Sequence, residues 1–240
     1  MADSHPDGGT VLSAAAGSGV GNRYQANFDA FSLSSDPLLA VVADGMGDGP
    51  GSAMAGRTAV DLVVERARGR KEGLVEAVAE AHRLVFDFGR DNGVLAGCTV
   101  TALAECPDGF WLAQIGDSRL YRWRGGLLEL LTTDHTMAWL GAVHGWYPFD
   151  SAEARAARYH LTRFVGHFEA PEPDLLRVGV RSGDVLLLCT DGVAEQVPYR
   201  RLAEVLGSDA PAEDAVRALL DDAEAAGGRD NATAIVVRSA

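Results

Sequence analysis

The chain has 240 residues, of which 47% are hydrophobic and 23% charged, a composition typical of a globular protein that can bury a core. Its net charge of −13 argues against binding to nucleic acid or to an anionic membrane, because both favour basic surfaces. The three cysteines lack zinc-type spacing, and no apolar run approaches the roughly 20 residues that span a bilayer. Without signal-peptide features at its start, the sequence predicts a cytoplasmic protein.

The first half of the chain predicts strands followed by two helices. Residues 1–18 are small, Gly-rich and polar, and we interpret them as a flexible lead-in to a single domain at 19–240. "QANFDAFSLSS" and "PLLAVVAD" predict strands, the second fully buried. Apolar residues at helical spacing from about Gly51 to Asp91 predict two helices with a break at Gly73.

The second half is mostly strand sequence. "CTVTALAEC", "FWLAQIG", "SRLYRWR" and "LLELL" predict consecutive strands. Segment 137–160 is rich in turns and aromatics and indicates an insertion, after which "HLTRFVG", "DLLRVGV" and "DVLLLCT" predict strands again. Helical patterns at about 199–206 and 211–226 precede a last strand, "NATAIVVR". Strand runs interrupted by paired helices favour an α+β sandwich over an alternating βαβ fold.

Four aspartates stand beside or within strongly apolar strand sequence, namely Asp29, Asp44, Asp191 and Asp230. Each one alone is explained by a turn in which the side chain bonds its own backbone. Taken together they also suit a site for Mg²⁺ or Mn²⁺, which prefer carboxylate, carbonyl and water oxygens. Two such cations can promote displacement at phosphorus. The spacing leaves both interpretations open, the isolated turns and the metal site.

The motifs together resemble those of the metal-dependent Ser/Thr protein phosphatases of the protein phosphatase 2C-like (PPM) family, bacterial type. The resemblance spans about residues 19–238 and rests on these segments in family order: "RYQANFDAF", "VADGMGDGPGSAMA", "GCTVTAL", "AQIGDSRLYRWR", "LTTDH", "HLTRFVG", "GDVLLLCTDGV" and "GRDNATAIVV". It implies a four-layer α-β-β-α sandwich of two antiparallel sheets flanked by helices, with segment 137–160 as a flap beside the active site. Its exposed aromatics would either dock a substrate or pack on one another.

The resemblance also implies a set of metal ligands. Asp44 would bridge two Mn²⁺ or Mg²⁺ ions, with the Gly45 carbonyl on one of them and Asp191 and Asp230 on the other. Asp117 matches a position that holds a third, weaker metal in bacterial members, although an ordinary hairpin turn explains it equally well.

Further roles follow from the same motifs. Asp29 would orient metal-bound water, and Asn231 would support the turn at Asp230. Arg23 would grip the substrate phosphate, with an ordinary surface arginine as the competing interpretation.

Three departures from the family pattern bear on these roles. Phe28 replaces the usual Glu or Gln before Asp29 and removes a polar neighbour of the metal site. Arg23 lies four residues before Asn27 rather than three. Met46 stands where animal relatives carry a histidine that can act as general acid, so the leaving-group proton would come from metal-bound water.

The function implied is hydrolysis of phosphoserine or phosphothreonine in proteins, by direct attack of a hydroxide that bridges two Mn²⁺ or Mg²⁺ ions. A cognate Ser/Thr kinase would supply the phosphorylated partner, and we expect a monomer that contacts neither nucleic acid nor membrane. Two alternatives stay open. One is a catalytically weak or inactive module that binds a phosphoprotein or regulatory partner, and the other is a phosphatase acting on anti-sigma antagonists, whose members generally lack the arginine.

Overall fold

The computed structural model of the protein describes residues 12–170 and 172–240. Its ten strands and seven helices follow in chain order: β1 Leu12–Gly19, β2 Ala30–Ser35, β3 Leu38–Ala43, α1 Pro50–Arg66, α2 Lys71–Asn92, β4 Val100–Cys106, β5 Gly109–Ile115, β6 Arg119–Arg124, β7 Leu127–Leu130, α3 Met137–Val143, α4 Ala152–Ala157, β8 Asp174–Val178, β9 Val185–Cys189, α5 Asp191–Ala194, α6 Tyr199–Leu206, α7 Ala212–Ala225 and β10 Ala232–Ser239.

The strands form two five-stranded antiparallel sheets, which confirms the predicted fold class. One sheet has the order β1-β10-β9-β6-β7, and the other has the order β2-β3-β4-β5-β8. Strand β3 illustrates why the sheets stack, since Leu38, Ala40 and Val42 face the other sheet. Its alternate residues face helices α1 and α2. This period-2 alternation buries both faces of the strand, as its continuous apolar sequence requires.

Helices cover the outer faces and complete the four layers. Helices α1 and α2 pack on the sheet that contains β2, β3, β4, β5 and β8. Helices α6 and α7 pack on the other sheet, which contains β1 and β10. Between the sheets lies a third apolar layer, which includes Leu120, Leu186, Leu188 and Ile235. In the described ranges, no helix is both long and apolar enough to cross a membrane.

The interpretation of residues 1–18 as a flexible lead-in is wrong for 12–18, and residues 1–11 lie outside the described part of the chain. Strand β1 pairs antiparallel with β10 from Leu12↔Ser239 to Gly19↔Ala232. Its sequence, LSAAAGSG, carries few strand-favouring residues, but its small side chains let α7 pack directly on the strand. Tertiary packing therefore overrides local preference here.

Two other local predictions are also corrected. "HLTRFVG" forms no strand, since only Leu161 and Val165 make isolated bridges there. The break between the first two helices falls at residues 67–70, and Gly73 lies in the first turn of α2. Segment 137–160 folds as two short helices, α3 and α4, capped by the hydroxyls of Thr136 and Ser151.

Candidate active site

A cavity of about 450 Å³ opens at one end of the sandwich and collects carboxylates from four separate places in the chain. They follow β3, join β5 to β6, follow β9 and precede β10. The acidic residues are Asp44, Asp117, Asp191 and Asp230. The structure thus brings the four predicted metal ligands that bind through side chains to one place, which local sequence alone did not establish.

Asp44 is held by its backbone at the end of β3. Its N–H donates to the Thr99 hydroxyl at 3.0 Å, and its carbonyl accepts from the Thr99 N–H at 2.9 Å. At Gly45, a Cβ would lie 2.5 Å from the Ser52 carbonyl oxygen, so only glycine fits this close approach. The backbone therefore presents the Asp44 carboxylate and the Gly45 carbonyl in a fixed place.

Asp191 is the first residue of α5, a one-turn helix that the sequence patterns did not indicate. The Thr190 N–H donates to the Thr233 carbonyl at 3.1 Å, so the helix start is tied to β10. At Gly192 a Cβ would lie 1.9 Å from the Asn231 carbonyl oxygen, which again requires glycine. Within the described part of the chain, Oδ1 of Asp191 is buried without a hydrogen-bond partner.

Asn231 supports the Asp230 turn, as predicted, and also holds a second loop. Its N–H donates to the Asp230 carboxylate at 2.9 Å. Its side-chain amide donates to the carbonyls of Val20 and Ala26, and its Oδ1 accepts from the Phe28 N–H at 2.8 Å. This buried asparagine therefore fastens the loop that carries Arg23 against the start of β10.

Asp29 lies behind the cavity rather than in its wall. Its Oδ2 accepts hydrogen bonds from the Thr190 hydroxyl at 2.8 Å and the Thr233 hydroxyl at 2.7 Å. Its Oδ1 is buried and has no hydrogen-bond partner among residues 12–170 and 172–240. Burial raises the pKa of Asp29 to about 7, although the two hydroxyl bonds oppose that shift.

Burial raises the pKa values of the other carboxyls too, and repulsion by neighbouring carboxylates adds to the shift at Asp44 and Asp191. The pKa of Asp44 lies well above its ordinary value because of burial and, next, the charge of Asp191. The pKa of Asp191 is also well above its ordinary value, through burial and then Asp117. Burial raises the pKa of Asp230, against the Asn231 N–H bond and the positive charge of Arg23. Such a cluster favours binding protons or cations.

Asp117 occupies the β5–β6 turn, which a buried histidine holds in place. The Gly116 N–H donates to the ring nitrogen Nδ1 of His135 at 3.1 Å. In return, the backbone N–H of His135 donates to the Gly116 carbonyl at 2.9 Å. Burial, followed by the charge of Asp134, raises the pKa of Asp117 to about 7. Sequence reasoning did not anticipate this contact, although His135 lies in the family-like segment "LTTDH".

Arg23 lines the cavity and stacks on an aromatic ring. Its guanidinium carbon lies 4.9 Å from the ring centroid of Tyr24, which in turn packs edge-on against Phe28 at 5.9 Å. Phe28 therefore supports the residue next to Arg23. Tyr24 is a cavity residue that sequence reasoning missed, although its place beside Arg23 was a signal.

The flap segment contributes to the same cavity. Tyr159, which is 74% exposed, lines the cavity together with Arg23, and so does Leu161 directly after the segment. Only the general placement of 137–160 beside an active site was predicted, and neither residue was singled out. Exposed aromatics at a cavity mouth are common features of ligand sites.

The donor set fits a hard divalent cation. Four carboxylates line the cavity beside the backbone of Gly45, and among the described residues Oδ1 of Asp191 is buried without a partner. In the described ranges, no three Asp, Glu, His or Cys side chains are placed so that they could hold a metal ion by themselves. Metal binding here would therefore draw on carbonyls or water as well, as is usual for Mg²⁺ and Mn²⁺.

Comparison with known proteins agrees with this geometry. The sequence profile of the family "Protein phosphatase 2C" matches residues 18–230. The protein phosphatase PhpP of Streptococcus pneumoniae is 28% identical over 208 residues, covering 83% of this chain and 85% of that protein. The PPM Ser-Thr phosphatase MsPP from Mycobacterium smegmatis, solved with cacodylate, is 34% identical, with a TM-score of 0.84 and coverage of 95% of this chain and 99% of that one. The catalytic domain of the phosphatase PstP, solved with two manganese ions, is 26% identical, with a TM-score of 0.84 and coverage of 96% and 99%.

Proposed function

The chain belongs to the protein phosphatase 2C family, and on that premise we propose that it is a metal-dependent enzyme that removes phosphate from phosphoserine or phosphothreonine in proteins. The observation that carries the proposal is the cavity in which Asp44, Asp117, Asp191 and Asp230 converge. Their raised pKa values mean that the charged forms need a positive ligand.

Two divalent cations would be held by named oxygens. Asp44 would contact both, the Gly45 carbonyl one, and Asp191 and Asp230 the other. Asp117, set apart in the β5–β6 turn, would contribute to a third, weaker site. Manganese is a reasonable choice because the relative PstP was solved with two manganese ions, and Mg²⁺ prefers the same ligands.

Bound cations would acidify a water molecule for attack on phosphorus and offset the charge on the phosphoryl oxygens. The chain's own residues would then orient the reactants. Arg23, whose charge already lowers the pKa of Asp230, lies where a guanidinium fork could bind a phosphate dianion. Asp29 would accept a hydrogen bond at its free Oδ1 and so orient water.

The departures from the family pattern leave this assignment intact. Arg23 lines the cavity despite its extra residue of spacing, because the loop is fastened by Asn231. Phe28 offers no polar group to the site but packs against Tyr24. Met46 also lines the cavity and carries no titratable proton, so we infer that water supplies the proton to the leaving group.

The alternative of an inactive phosphoprotein-binding module finds less support. A module that only binds has no need of four converging carboxylates whose mutual repulsion is costly. The relatives reported above are phosphatases by name. The anti-sigma type of phosphatase is also less favoured, since those members generally lack the arginine and Arg23 lines this cavity. We therefore expect a phosphorylated protein substrate, supplied by a Ser/Thr kinase, and a monomeric enzyme.

The decisive experiment measures phosphate release from a phosphothreonine peptide with Mn²⁺, with Mg²⁺ and with EDTA, for the wild type and for Asp191→Ala. We expect activity that requires metal and that falls by at least about 100-fold in the variant. Calorimetric titration with Mn²⁺ supplies a second readout, in which Asp191→Ala should lose at least one bound ion.

The exposed residue Asp91 supplies a matched control, because Asp91→Ala removes a carboxylate that does not line the cavity. That variant should keep full activity and full Mn²⁺ binding. A folded wild-type protein that binds Mn²⁺ but releases no phosphate would reject the enzymatic proposal and favour the binding module.

A further inference from the structure

A second groove of about 280 Å³ adjoins the carboxylate cavity, and we call it the arginine groove after its most distinctive residues. It shares four lining residues with the cavity, namely Arg23, Tyr159, Asp191 and Asp230. Arg158 and Arg229 lie beyond them. A molecule that places a phosphoryl group in the cavity can therefore extend into this groove without leaving the surface.

The charge of the groove contrasts with that of the protein. Three arginines line it, although the chain carries a net charge of −13. Arg158 lies 3.6 Å from Glu195, but among the described residues no carboxylate lies within 4 Å of the Arg23 or Arg229 guanidinium. Since Arg23 is the proposed ligand of the substrate phosphate, the Arg229 guanidinium is left available for a second outside anion, a role that suits its forked donors.

The wall that carries Arg229 is rigidly placed next to the site. The backbone N–H of Arg229 donates to the Gln196 side-chain oxygen at 2.8 Å. The Gln196 amide donates in turn to the Gly192 carbonyl at 2.9 Å. These two bonds join the loop before β10 to helix α5, so Arg229 keeps a fixed position one residue from Asp230. The arginine is held by backbone contacts that do not use its side chain.

We propose that the arginine groove binds an acidic group of the protein substrate, a carboxylate or a second phosphate, close in sequence to the residue that is dephosphorylated. This proposal rests on the proposed phosphatase function. Since an extended peptide advances about 3.3 Å per residue, the acidic group lies within a few residues of the phosphoresidue. The carboxylates of Asp191 and Asp230 would not repel it, because the cations proposed to bind them would offset their charge. Glu195 is offset by Arg158.

The test compares phosphothreonine peptides that differ only in their flanking residues, with Glu, Ala or Lys on both sides. Hydrolysis of p-nitrophenyl phosphate, which has no flanking group, runs in parallel with Mn²⁺. We expect kcat/KM to be about fivefold higher for the Glu peptide than for the Lys peptide, and this ratio to shrink as salt screens the groove. A doubly phosphorylated peptide, followed by mass spectrometry, distinguishes a second phosphate from a carboxylate as the preferred group.

Variants of Arg229 make the assignment specific. Arg229→Gln should bring the Glu-to-Lys ratio to about 2 or below, Arg229→Lys should restore part of it, and Arg229→Glu should reverse it. The exposed helix residue Arg83 is the control, and Arg83→Gln should leave the ratio unchanged. Equal kcat/KM for the Glu and Lys peptides, in a protein that hydrolyses p-nitrophenyl phosphate, would overturn the groove proposal alone. Absence of hydrolysis of every substrate would overturn the phosphatase proposal instead.

Discussion

The two ends of strand β9 place one aspartate each beside the same buried apolar sequence, with opposite results. At the start, Asp184 is 1% exposed and accepts hydrogen bonds from Arg124, at 2.6 and 2.5 Å, and from the Arg181 N–H at 2.8 Å. Burial alone would raise its pKa, but these bonds outweigh burial and hold the pKa below its ordinary value. At the other end, Asp191 has a buried oxygen without a partner and a pKa well above its ordinary value.

The contrast separates charges that complete the fold from charges that are available to a ligand. Asp184 joins β6 to the start of β9 through a bidentate arginine pair, and its charge is satisfied inside the protein. Asp191 is repelled by Asp117 and Asp230, and among the described residues its buried Oδ1 has no hydrogen-bond partner. Buried charges without a partner destabilise the fold. Their presence therefore points to a functional site.

The largest expected effect is at the carboxylate cavity, where one substitution should lower activity and raise stability. Asp44→Asn should lower kcat/KM for a phosphothreonine peptide by at least about 100-fold, because it removes the proposed bridging ligand. In EDTA at pH 8 the same variant should have a free energy of unfolding about 1 kcal/mol higher than the wild type, because a charge repelled by its neighbours is gone. Its unfolding temperature should therefore be higher. Activity assays and thermal denaturation check both parts. A variant that is less stable in EDTA would contradict the idea that this charge is costly.

At the other end of β9 the effect should fall on stability alone. Asp184→Asn should lower the free energy of unfolding by about 2 kcal/mol, because it weakens the bonds to Arg124 and leaves the guanidinium partly buried. The midpoint of thermal unfolding should fall by roughly 4–8 °C, with kcat at 25 °C unchanged. Asp91→Asn, which alters an exposed carboxylate, should change the free energy by no more than about 0.5 kcal/mol. Equal unfolding midpoints for Asp184→Asn and Asp91→Asn would contradict the idea that the charge of Asp184 stabilises the fold.

The remaining expected effect is a pH dependence of the metal-free protein. Asp29 and Asp117 have pKa values of about 7 in the folded state, above the ordinary value of 3.8. Their stabilising contribution is therefore complete below about pH 4 and is lost as the pH rises through 7. The unfolding temperature in EDTA should fall between pH 5 and pH 8, and Mn²⁺ should raise it more at pH 8 than at pH 5.5.

The variant Asp44→Asn is the control for that titration. It removes one repelled charge, so its unfolding temperature in EDTA should fall less steeply with pH than that of the wild type. The same slope in both proteins would assign the pH dependence to the net charge of the whole chain rather than to the cavity.

Much of the fold was predictable from local sequence. The continuous apolar runs of β3, β9 and β10 indicated buried strands, and the apolar spacing near α6 and α7 gave helix positions close to those observed. The identity of the carboxylates was also predictable, because an aspartate directly after such a run is costly without a partner. These signals depend only on neighbours a few residues apart, which the sequence displays directly.

Tertiary structure decided which distant residues meet. Strand β1 exists because β10, more than 200 residues away, supplies its hydrogen bonds, while its own side chains favour a loop. Asp29 gains its position from hydroxyls 161 and 204 residues further along the chain. The raised pKa values and the arginine groove likewise depend on burial and on charges from separate loops, which no periodic pattern records. The sequence therefore determined the chemical groups, and folding determined their partners.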